Sequence, residues 1–406
     1  MMWRFSIVVL VTLSAAAADL RPVALQAARG DANAVRTLRA AGQAGVDALM
    51  AVRNRPDKAR FDAAIDSVCK QRDCAYSGLY WYTDLEAAKR AAGATGRPIL
   101  SLRLLGNLDE ELSCANSRYF RTLLYPNREI GAYLRANYIL HWKSVRPAPV
   151  VTVDFGNGRK MRRSITGNSI HYVLDSNGRP LDAIPGLYAP PQFIALLREG
   201  VALHKAVLAS KDGNRALRVY HDNVRWAARR RAISPLDRAN EYSGTRAKRM
   251  AAWTSGSLAP SKGGGEDVML TKVAFDASAR GMLDDLSRRV REVVSGPSTL
   301  DENALALIRA KRAATPDPSM RTEEALEEAI ERLEETLAAD TKINEKLHAE
   351  LHQWFVEGTA MDVETLNAQV YDRLFLAPGE DQWMGLAAKS SFTGILGEGL
   401  IVTAAR

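Results

Sequence analysis

A cysteine and a serine spaced three residues apart, Cys114 and Ser117, are the residues of this chain best placed to do chemistry. They lie in the stretch LSCANSRYF, at the start of a segment whose apolar spacing predicts a helix. The amide groups and dipole of a helix N-terminus favour thiolate, the nucleophilic form of cysteine. Cys114 could therefore attack a disulfide, with Asn116 and Ser117 donating hydrogen bonds to its sulfur. The alternative is a small, packed and unreactive Cys114.

The other two cysteines, Cys69 and Cys74, stand five positions apart in CKQRDC. On a continuous helix, residues five apart lie beyond the Cα separation that a disulfide accepts. A bond between them therefore requires a turn or a helix end, and it would persist in an oxidising compartment. We predict this pairing, which leaves Cys114 as the free thiol.

Two histidines four residues apart, His348 and His352 in HAELH, could bind zinc because they would share one helix face. The metalloprotease signature needs a glutamate directly after the first histidine, whereas here Glu350 stands in the middle. No third ligand is evident. We therefore predict a solvated helix face here, no metal site and no cofactor.

Between residues 79 and 200 the pattern alternates between helix and strand. A helix over TDLEAAKRAAGATG precedes a strand over RPILSLRLL, a helix from Cys114 that is split at Pro126, and a strand over NYILHWKSV. Two β-hairpins follow, at GNG and SNG, and a helix closes the region. Strand–helix–strand units give parallel pairs and hairpins give antiparallel ones. The order predicts an α/β sandwich with a mixed sheet flanked by helices.

This order, together with RPILSLRLL, SCANSRYF, NYILHW and VLDSNGRPLDAIPG, resembles exported members of the thioredoxin-like superfamily. The resemblance implies that Cys114 takes the place of the attacking thiol and Ser117 that of the resolving one. It also places Ser169 where family members hold a cis-proline against the substrate. Asn168 and His171 would then belong to the substrate loop, with His171 as a proton acceptor for Cys114.

Departures from the family pattern bear on activity. A serine cannot resolve a mixed disulfide, so Ser117 leaves only monothiol chemistry. Ser113 stands where active members carry tryptophan, and the acids at 109–111 disfavour a nearby thiolate. We therefore favour a redox-inactive or weakly active binding or scaffold module. The alternative is monothiol thiol–disulfide exchange, like that of an oxidoreductase or isomerase, through Cys114.

The first 18 residues have the pattern of a signal peptide. Arg4 precedes an apolar run, and Ala16 to Ala18 offer a cleavage site. The run is too short to span a bilayer, and no later segment is apolar enough to do so. We predict an exported protein, most simply in a bacterial periplasm, with no transmembrane span after signal removal.

The rest of the 406-residue chain divides by composition. An alanine-rich stretch predicts a small helical hairpin within an N-terminal helical segment, and TSGSLAPSKGGGE predicts a flexible linker. The predicted regions are 19–78 for the helical segment, 79–205 for the thioredoxin-like domain, 206–265 for a basic helical segment and linker, and 266–406 for a helical C-terminal domain.

The net charge of +8 is unevenly distributed. The segment from Arg215 to Arg249 contains ten basic and three acidic residues, whereas the segment from Glu323 to Glu335 contains seven glutamates and one arginine. The basic segment could meet an acidic partner, or it could be a solvated face that pairs with the acidic segment. Export argues against nucleic acid as a target. A scaffold function implies a protein or peptide partner.

Overall fold

The architecture is that of a computed structural model, which describes residues 19–54, 57–164, 167–231, 300–358, 362–375 and 395–400. The chain divides into two compact units, the first ending at Val68 and the second beginning at Cys69. The predicted signal peptide and most of the predicted linker region lie outside the described residues. Among the described residues, no helix is both long and apolar enough to cross a membrane.

The first unit is helical, as its alanine-rich sequence predicts. Its apolar side chains face inward: Leu38, Val46, Leu49 and Val52 are buried, and Val35 is half-buried. Two of its four short helices form the predicted hairpin, and the break between them lies at Gly42, at φ +66°. These helices are α1 (Arg21–Ala27), α2 (Ala32–Ala40), α3 (Gln43–Met50) and α4 (Lys58–Cys69).

The second unit is built on a mixed four-stranded sheet. The six described strands of this unit are β1 (Ile99–Leu105), β2 (Ile139–Arg146), β3 (Val150–Asp154), β4 (Lys160–Ser164), β5 (Ser169–Leu174) and β6 (Pro180–Pro185). The main sheet has the order β2-β1-β5-β6, in which β1 and β2 are parallel and the other neighbours antiparallel. The hairpin of β3 and β4 forms a separate two-stranded sheet.

The central strands β1 and β5 are buried along their whole length. Such strands read as apolar runs because helices cover both of their faces. Two helices precede the strands, α5 (Cys74–Ser77) and α6 (Leu85–Thr95). The helices between and after the strands are α7 (Ala115–Tyr119) with a π-helical turn (Phe120–Leu124), α8 (Arg128–Asn137) and α9 (Pro190–Ala209). The helix from Cys114 ends before Pro126, as predicted.

The C-terminal helices belong to the same hydrophobic core as the sheet. Leu351, Leu366 and Val370 are fully buried together with residues of β1 and β5. Each such side chain contributes about 1.5–3 kcal/mol of burial free energy. These helices are α10 (Gly213–Arg231), α11 (Glu302–Ala313), α12 (Glu323–Glu357) and α13 (Val363–Gln369) with a π-helical turn (Val370–Leu374).

Helix α12 runs unbroken for 35 residues and docks on the sheet where β6 ends. Gly186, at φ +74°, allows this close approach because a Cβ there would overlap the Asn344 side chain. Asn344 donates its Nδ2 hydrogen to the Leu187 carbonyl at 2.7 Å. The tertiary packing thus joins a distant helix to the edge strand of the sheet.

Candidate functional site

Cys114 lies at the N-cap of α7, as the sequence predicts. Strand β1 ends at Leu105, and the Cys114 N–H donates to the Leu105 carbonyl at 3.0 Å. The Cys114 side chain accepts no capping hydrogen bond from the helix. It is fully buried, and it belongs to the hydrophobic core of the second unit. A solvent-borne disulfide therefore cannot reach the sulfur in this conformation.

Ser117 and Asn116 are buried beside Cys114, but the Ser117 hydroxyl is already engaged. Ser117 Oγ donates to the Cys114 carbonyl at 2.8 Å and lies 2.7 Å from Ser113 Oγ. Ser113 in turn is held by Ser164, whose hydroxyl donates to the Ser113 carbonyl at 2.8 Å. Within the described residues the Asn116 side-chain nitrogen has no hydrogen-bond partner. These contacts fix the turn around Cys114.

The predicted substrate loop lies beside the end of β1. Ser169 faces Leu104 in the β1–β5 register, next to the residue that binds the Cys114 amide. The Ser169 carbonyl accepts the Gly186 N–H at 2.9 Å. The Asn168 carbonyl accepts a hydrogen bond from the hydroxyl of Tyr371 at 3.1 Å. The fold therefore brings the loop and Cys114 together, and the C-terminal π-helical turn contacts the loop.

Tyr371 and Tyr125 both lie near Cys114. Burial raises the pKa of each hydroxyl, and the Cys114 sulfur adds to the shift. Tyr371 is 5% exposed and Tyr125 is fully buried. We define Cys114, Asn116, Ser117, Asn168 and Ser169 as the Cys114 site. Tyr371, from the C-terminal π-helical turn, lies against this site and forms part of its cover.

His171 is part of the aromatic core. Its Nε2 lies 2.8 Å from the Tyr125 hydroxyl, and its ring centroid lies 4.6 Å from that of Phe120 and 5.3 Å from that of Phe193. Burial lowers its pKa to about 3, so the ring is neutral at physiological pH. The hydrogen bond that the structure gives this ring is to Tyr125. Among the described residues, its buried Nδ1 has no hydrogen-bond partner.

Two of the three acids before Cys114, Asp109 and Glu111, are paired with cations. Glu111 contacts Arg72 at 3.1 Å and Lys311 of α11 at 3.0 Å, and Asp109 contacts Lys70 at 3.3 Å. These pairs offset the negative charge that the sequence places next to Cys114. The sequence identifies the acids, but the cations that pair with them lie about 40 to 200 residues away and become evident only in the structure.

A buried arginine, Arg121, anchors the helix that follows Cys114. Its guanidinium is 1% exposed, pairs with Asp73 and donates to the Glu111 carbonyl at 2.9 Å. Lys311 also contacts Asp73, at 3.0 Å. Asp73 lies between the two cysteines of CKQRDC, so these charges join three separate segments of the chain.

Cys69 and Cys74 form a disulfide in the structure. Cys69 ends α4 and Cys74 begins α5, and two left-handed residues, Lys70 and Asp73, reverse the chain between them. The Cα atoms are 6.3 Å apart, within the range that a disulfide spans. The bond thus occurs at a helix end, the geometry that the five-residue spacing requires.

A second polar cluster lies at the β6 edge of the sheet, and we call it the histidine cluster. It consists of Asp182 on β6, His221 on α10, and His348 and His352 on α12. His221 Nδ1 lies 2.6 Å from His352 Nδ1, and His348 Nε2 lies 3.1 Å from Asp182 Oδ1. All four side chains are buried.

The expected solvated face at HAELH was wrong, since His348 is 6% and His352 is 3% exposed. Burial would raise the pKa of Asp182, but the neighbouring histidines, His348 foremost, outweigh it and lower that pKa. Burial lowers the pKa of His352 to about 3. The cluster therefore contains an ionised carboxylate among rings of which at least His352 is neutral.

Sequence reasoning missed Asp182 and His221. They are 39 residues apart and more than 120 residues from His352 in the sequence, so no local spacing links them. The available signal was the apolar periodicity of α10, which places His221 on the buried face with Leu217. A histidine on such a face is most simply a core residue, and its partners become visible only in the fold.

Comparison with protein-family models, with curated proteins and with solved structures finds no match for this chain.

Proposed function

We propose that this chain is an exported thioredoxin-fold protein that lacks the dithiol redox cycle and serves as a binding scaffold. The topology supports the fold. A parallel pair, β1 and β2, is joined through α7 and α8, and the antiparallel β5–β6 hairpin and α9 complete the mixed sheet and flanking helices that the resemblance implies. Cys114 follows the central strand β1 at a helix start, where the family carries its attacking cysteine.

The observation that carries the proposal is the closure of the Cys114 site by the chain itself. Cys114 is fully buried, and the nearby Asn168 carbonyl accepts a hydrogen bond from the Tyr371 hydroxyl. In a redox-active member that loop would be open to the backbone of a substrate strand. Here a side chain from the C-terminal helices takes up the hydrogen bond.

Ser117 supports the same conclusion on chemical grounds. Resolution of a mixed disulfide requires a second thiolate to attack the bond between enzyme and substrate. A hydroxyl cannot do this, and the Ser117 hydroxyl is bonded to the Cys114 carbonyl. The Cys69–Cys74 disulfide supports export, because such bonds persist in oxidising compartments.

A protein or peptide partner is the binding role that a scaffold implies. Among the described residues of the basic segment, Arg215, Arg218, Val219 and Trp226 are exposed on α10. Cationic and apolar groups on one helix suit an acidic partner that also offers apolar side chains. The part of the segment beyond Arg231 lies outside the described residues.

Alkylation of Cys114 with iodoacetamide, followed by peptide mass spectrometry under non-reducing conditions, tests the proposal. The disulfide protects Cys69 and Cys74, so the reaction reports Cys114 alone. We expect the folded chain to react about 100-fold or more slowly than the chain in urea, because reaction requires local opening. Tyr371→Ala should accelerate the reaction of the folded chain.

The matched control is Tyr133→Ala, which removes a half-buried tyrosine from α8. It should leave the alkylation rate of Cys114 unchanged, and the rates in urea should be equal for all three chains. Rapid alkylation of the folded wild type, together with catalytic exchange of a small disulfide, would contradict the scaffold function. That outcome would support monothiol exchange, for which the N-cap position of Cys114 is the favourable feature.

A further inference from the structure

The histidine cluster joins three elements that are distant in sequence. Strand β6 supplies Asp182, α10 supplies His221, and α12 supplies His352. One ligand atom from each of these three residues lies within 4.8 Å of the other two. Ligand atoms bound to one tetrahedral zinc ion at about 2.0–2.1 Å are roughly 3.3 Å apart. The two ring nitrogens are 2.6 Å apart and no separation exceeds 4.8 Å, so small shifts of the side chains would reach that value.

The hydrogen bonds of His221 orient its ring for a ligand. Its Nε2 lies 2.9 Å from the Leu181 carbonyl, and a carbonyl only accepts, so Nε2 carries the hydrogen. In the neutral ring, Nδ1 then presents a lone pair, and it points at Nδ1 of His352. A backbone carbonyl that fixes the tautomer of a histidine is the usual outer partner of a metal-binding imidazole.

The carboxylate in the cluster also calls for a cation. Asp182 is 1% exposed, and its Oδ1 accepts the Ala183 N–H at 2.8 Å. Removing a carboxylate from water is costly unless a positive charge or several hydrogen bonds compensate it. A divalent cation bound to Asp182 and two ring nitrogens would compensate the charge and remove the repulsion between the nitrogen lone pairs.

We propose that Asp182, His221 and His352 bind a zinc-like divalent cation, and that His348 positions Asp182. Imidazole nitrogens with one carboxylate oxygen suit zinc and its neighbours among the transition metals better than magnesium or calcium. His348 Nε2 lies 3.1 Å from Asp182 Oδ1, close enough to orient the carboxylate.

The role of the site follows from its burial and its position. All four side chains are 6% exposed or less, so a substrate cannot reach the cation. The ligands come from the edge strand of the sheet and from two helices of the C-terminal region. The cation is therefore structural, and it fastens α10 and α12 to β6.

Titration of the full chain, purified without an affinity tag and stripped of metal by chelation, tests the site. We expect about one equivalent of Zn²⁺ per chain by elemental mass spectrometry after dialysis. Binding should raise the midpoint of thermal unfolding by about 5 °C or more when the metal is in large excess over its Kd. Co²⁺ in its place should give visible absorption bands from the nitrogen and oxygen ligands.

Three variants separate this site from adventitious binding. His352→Gln should abolish the Co²⁺ spectrum and the thermal shift, and His348→Gln should weaken binding by about 10–100-fold. His204→Gln is the matched control, because His204 is a buried histidine on α9 outside the cluster. It should bind metal as the wild type does.

Two results would overturn the proposal. One is a wild-type chain that neither retains Zn²⁺ nor changes its unfolding temperature, which would show that a proton on His352 Nδ1 satisfies the cluster. The other is undiminished binding in a folded His352→Gln chain, which would place the metal elsewhere. Circular dichroism of each variant checks that it is folded, and the wild-type titration decides the question without any variant.

Discussion

The C-terminal helices cover two polar sites of the same sheet, and the two covers differ in kind. At the Cys114 site, Tyr371 supplies an aromatic ring and one neutral hydrogen bond to Asn168. At the histidine cluster, α10 and α12 supply three rings around a buried carboxylate, Asp182. Tyr371 thus packs over uncharged side chains of the Cys114 site, whereas α10 and α12 enclose the charged carboxylate of Asp182.

The difference teaches how each site can respond to change. The neutral hydrogen bond of Tyr371 is worth about 1 kcal/mol, so its loss alone should change the stability of the Cys114 site little. Separating a buried charge from its partners costs more free energy, because the charge is then left buried and uncompensated. The four predictions below sharpen this contrast, in order of decreasing effect.

Arg121→Ala should have the largest effect, because it removes a buried, paired charge from the helical segment that follows Cys114. The substitution leaves Asp73 with Lys311 alone and removes the hydrogen bond to Glu111. Breaking such a buried pair lowers the free energy of unfolding by about 3–5 kcal/mol, measured by urea denaturation. Arg128→Ala is the control, since its exposed pair with Glu302 contributes less than about 1 kcal/mol. Equal effects would contradict the importance of burial.

Acid should destabilise the second unit through His171. Its pKa is about 3 in the folded state and 6.5 unfolded, so the unfolded chain binds the proton first as pH falls. The stabilisation by this group is complete above pH 6.5. Below that pH the free energy of unfolding falls by about 1.4 kcal/mol per pH unit, so that the loss at pH 4 is about 3 kcal/mol. Urea denaturation from pH 4 to 7 should show a shallower slope for His171→Gln. Tyr125→Phe should keep the wild-type slope, and an unchanged slope in His171→Gln would contradict the assignment.

Substitution of Cys114 distinguishes a packed thiol from a working one. In a neutral core, Cys114→Ala should cost about 1 kcal/mol in unfolding free energy, and Cys114→Ser about 1–3 kcal/mol because it buries a hydroxyl. Serine is a preferred N-cap residue, so an open helix terminus would instead tolerate Cys114→Ser better than Cys114→Ala. Thermal or urea unfolding of the two variants decides between these orders, and the second order would contradict a closed site.

Tyr371→Phe should have the smallest effect of the four main changes. It keeps the ring and loses the hydrogen bond to Asn168, which costs about 1 kcal/mol. Tyr172→Phe is a companion change, because the Tyr172 hydroxyl donates to Asn367 of α13 over a longer 3.3 Å. Its effect on the urea midpoint should be smaller still. A loss of several kcal/mol in Tyr371→Phe would show that the cover is not a replaceable neutral contact.

Local patterns in the sequence were sufficient for the elements that position Cys114. The apolar run of RPILSLRLL gives β1, the glycine turns give both hairpins, and the spacing of CKQRDC requires the chain reversal seen there. The position of Cys114 at the α7 N-cap follows from the same kind of signal. Each of these features depends on neighbours within about ten residues, where backbone geometry couples residue type to conformation.

Only the tertiary structure decided what surrounds these elements. The sequence determined a thiol at a helix start, a serine three residues on, and two histidines on one helix face. It could not show that Tyr371 lies against the Cys114 site or that Asp182 and His221 contact the two histidines. Those contacts join segments more than 100 residues apart. Such contacts form when apolar faces of separate elements share one core, and burial is not directional enough for sequence spacing to reveal its partners.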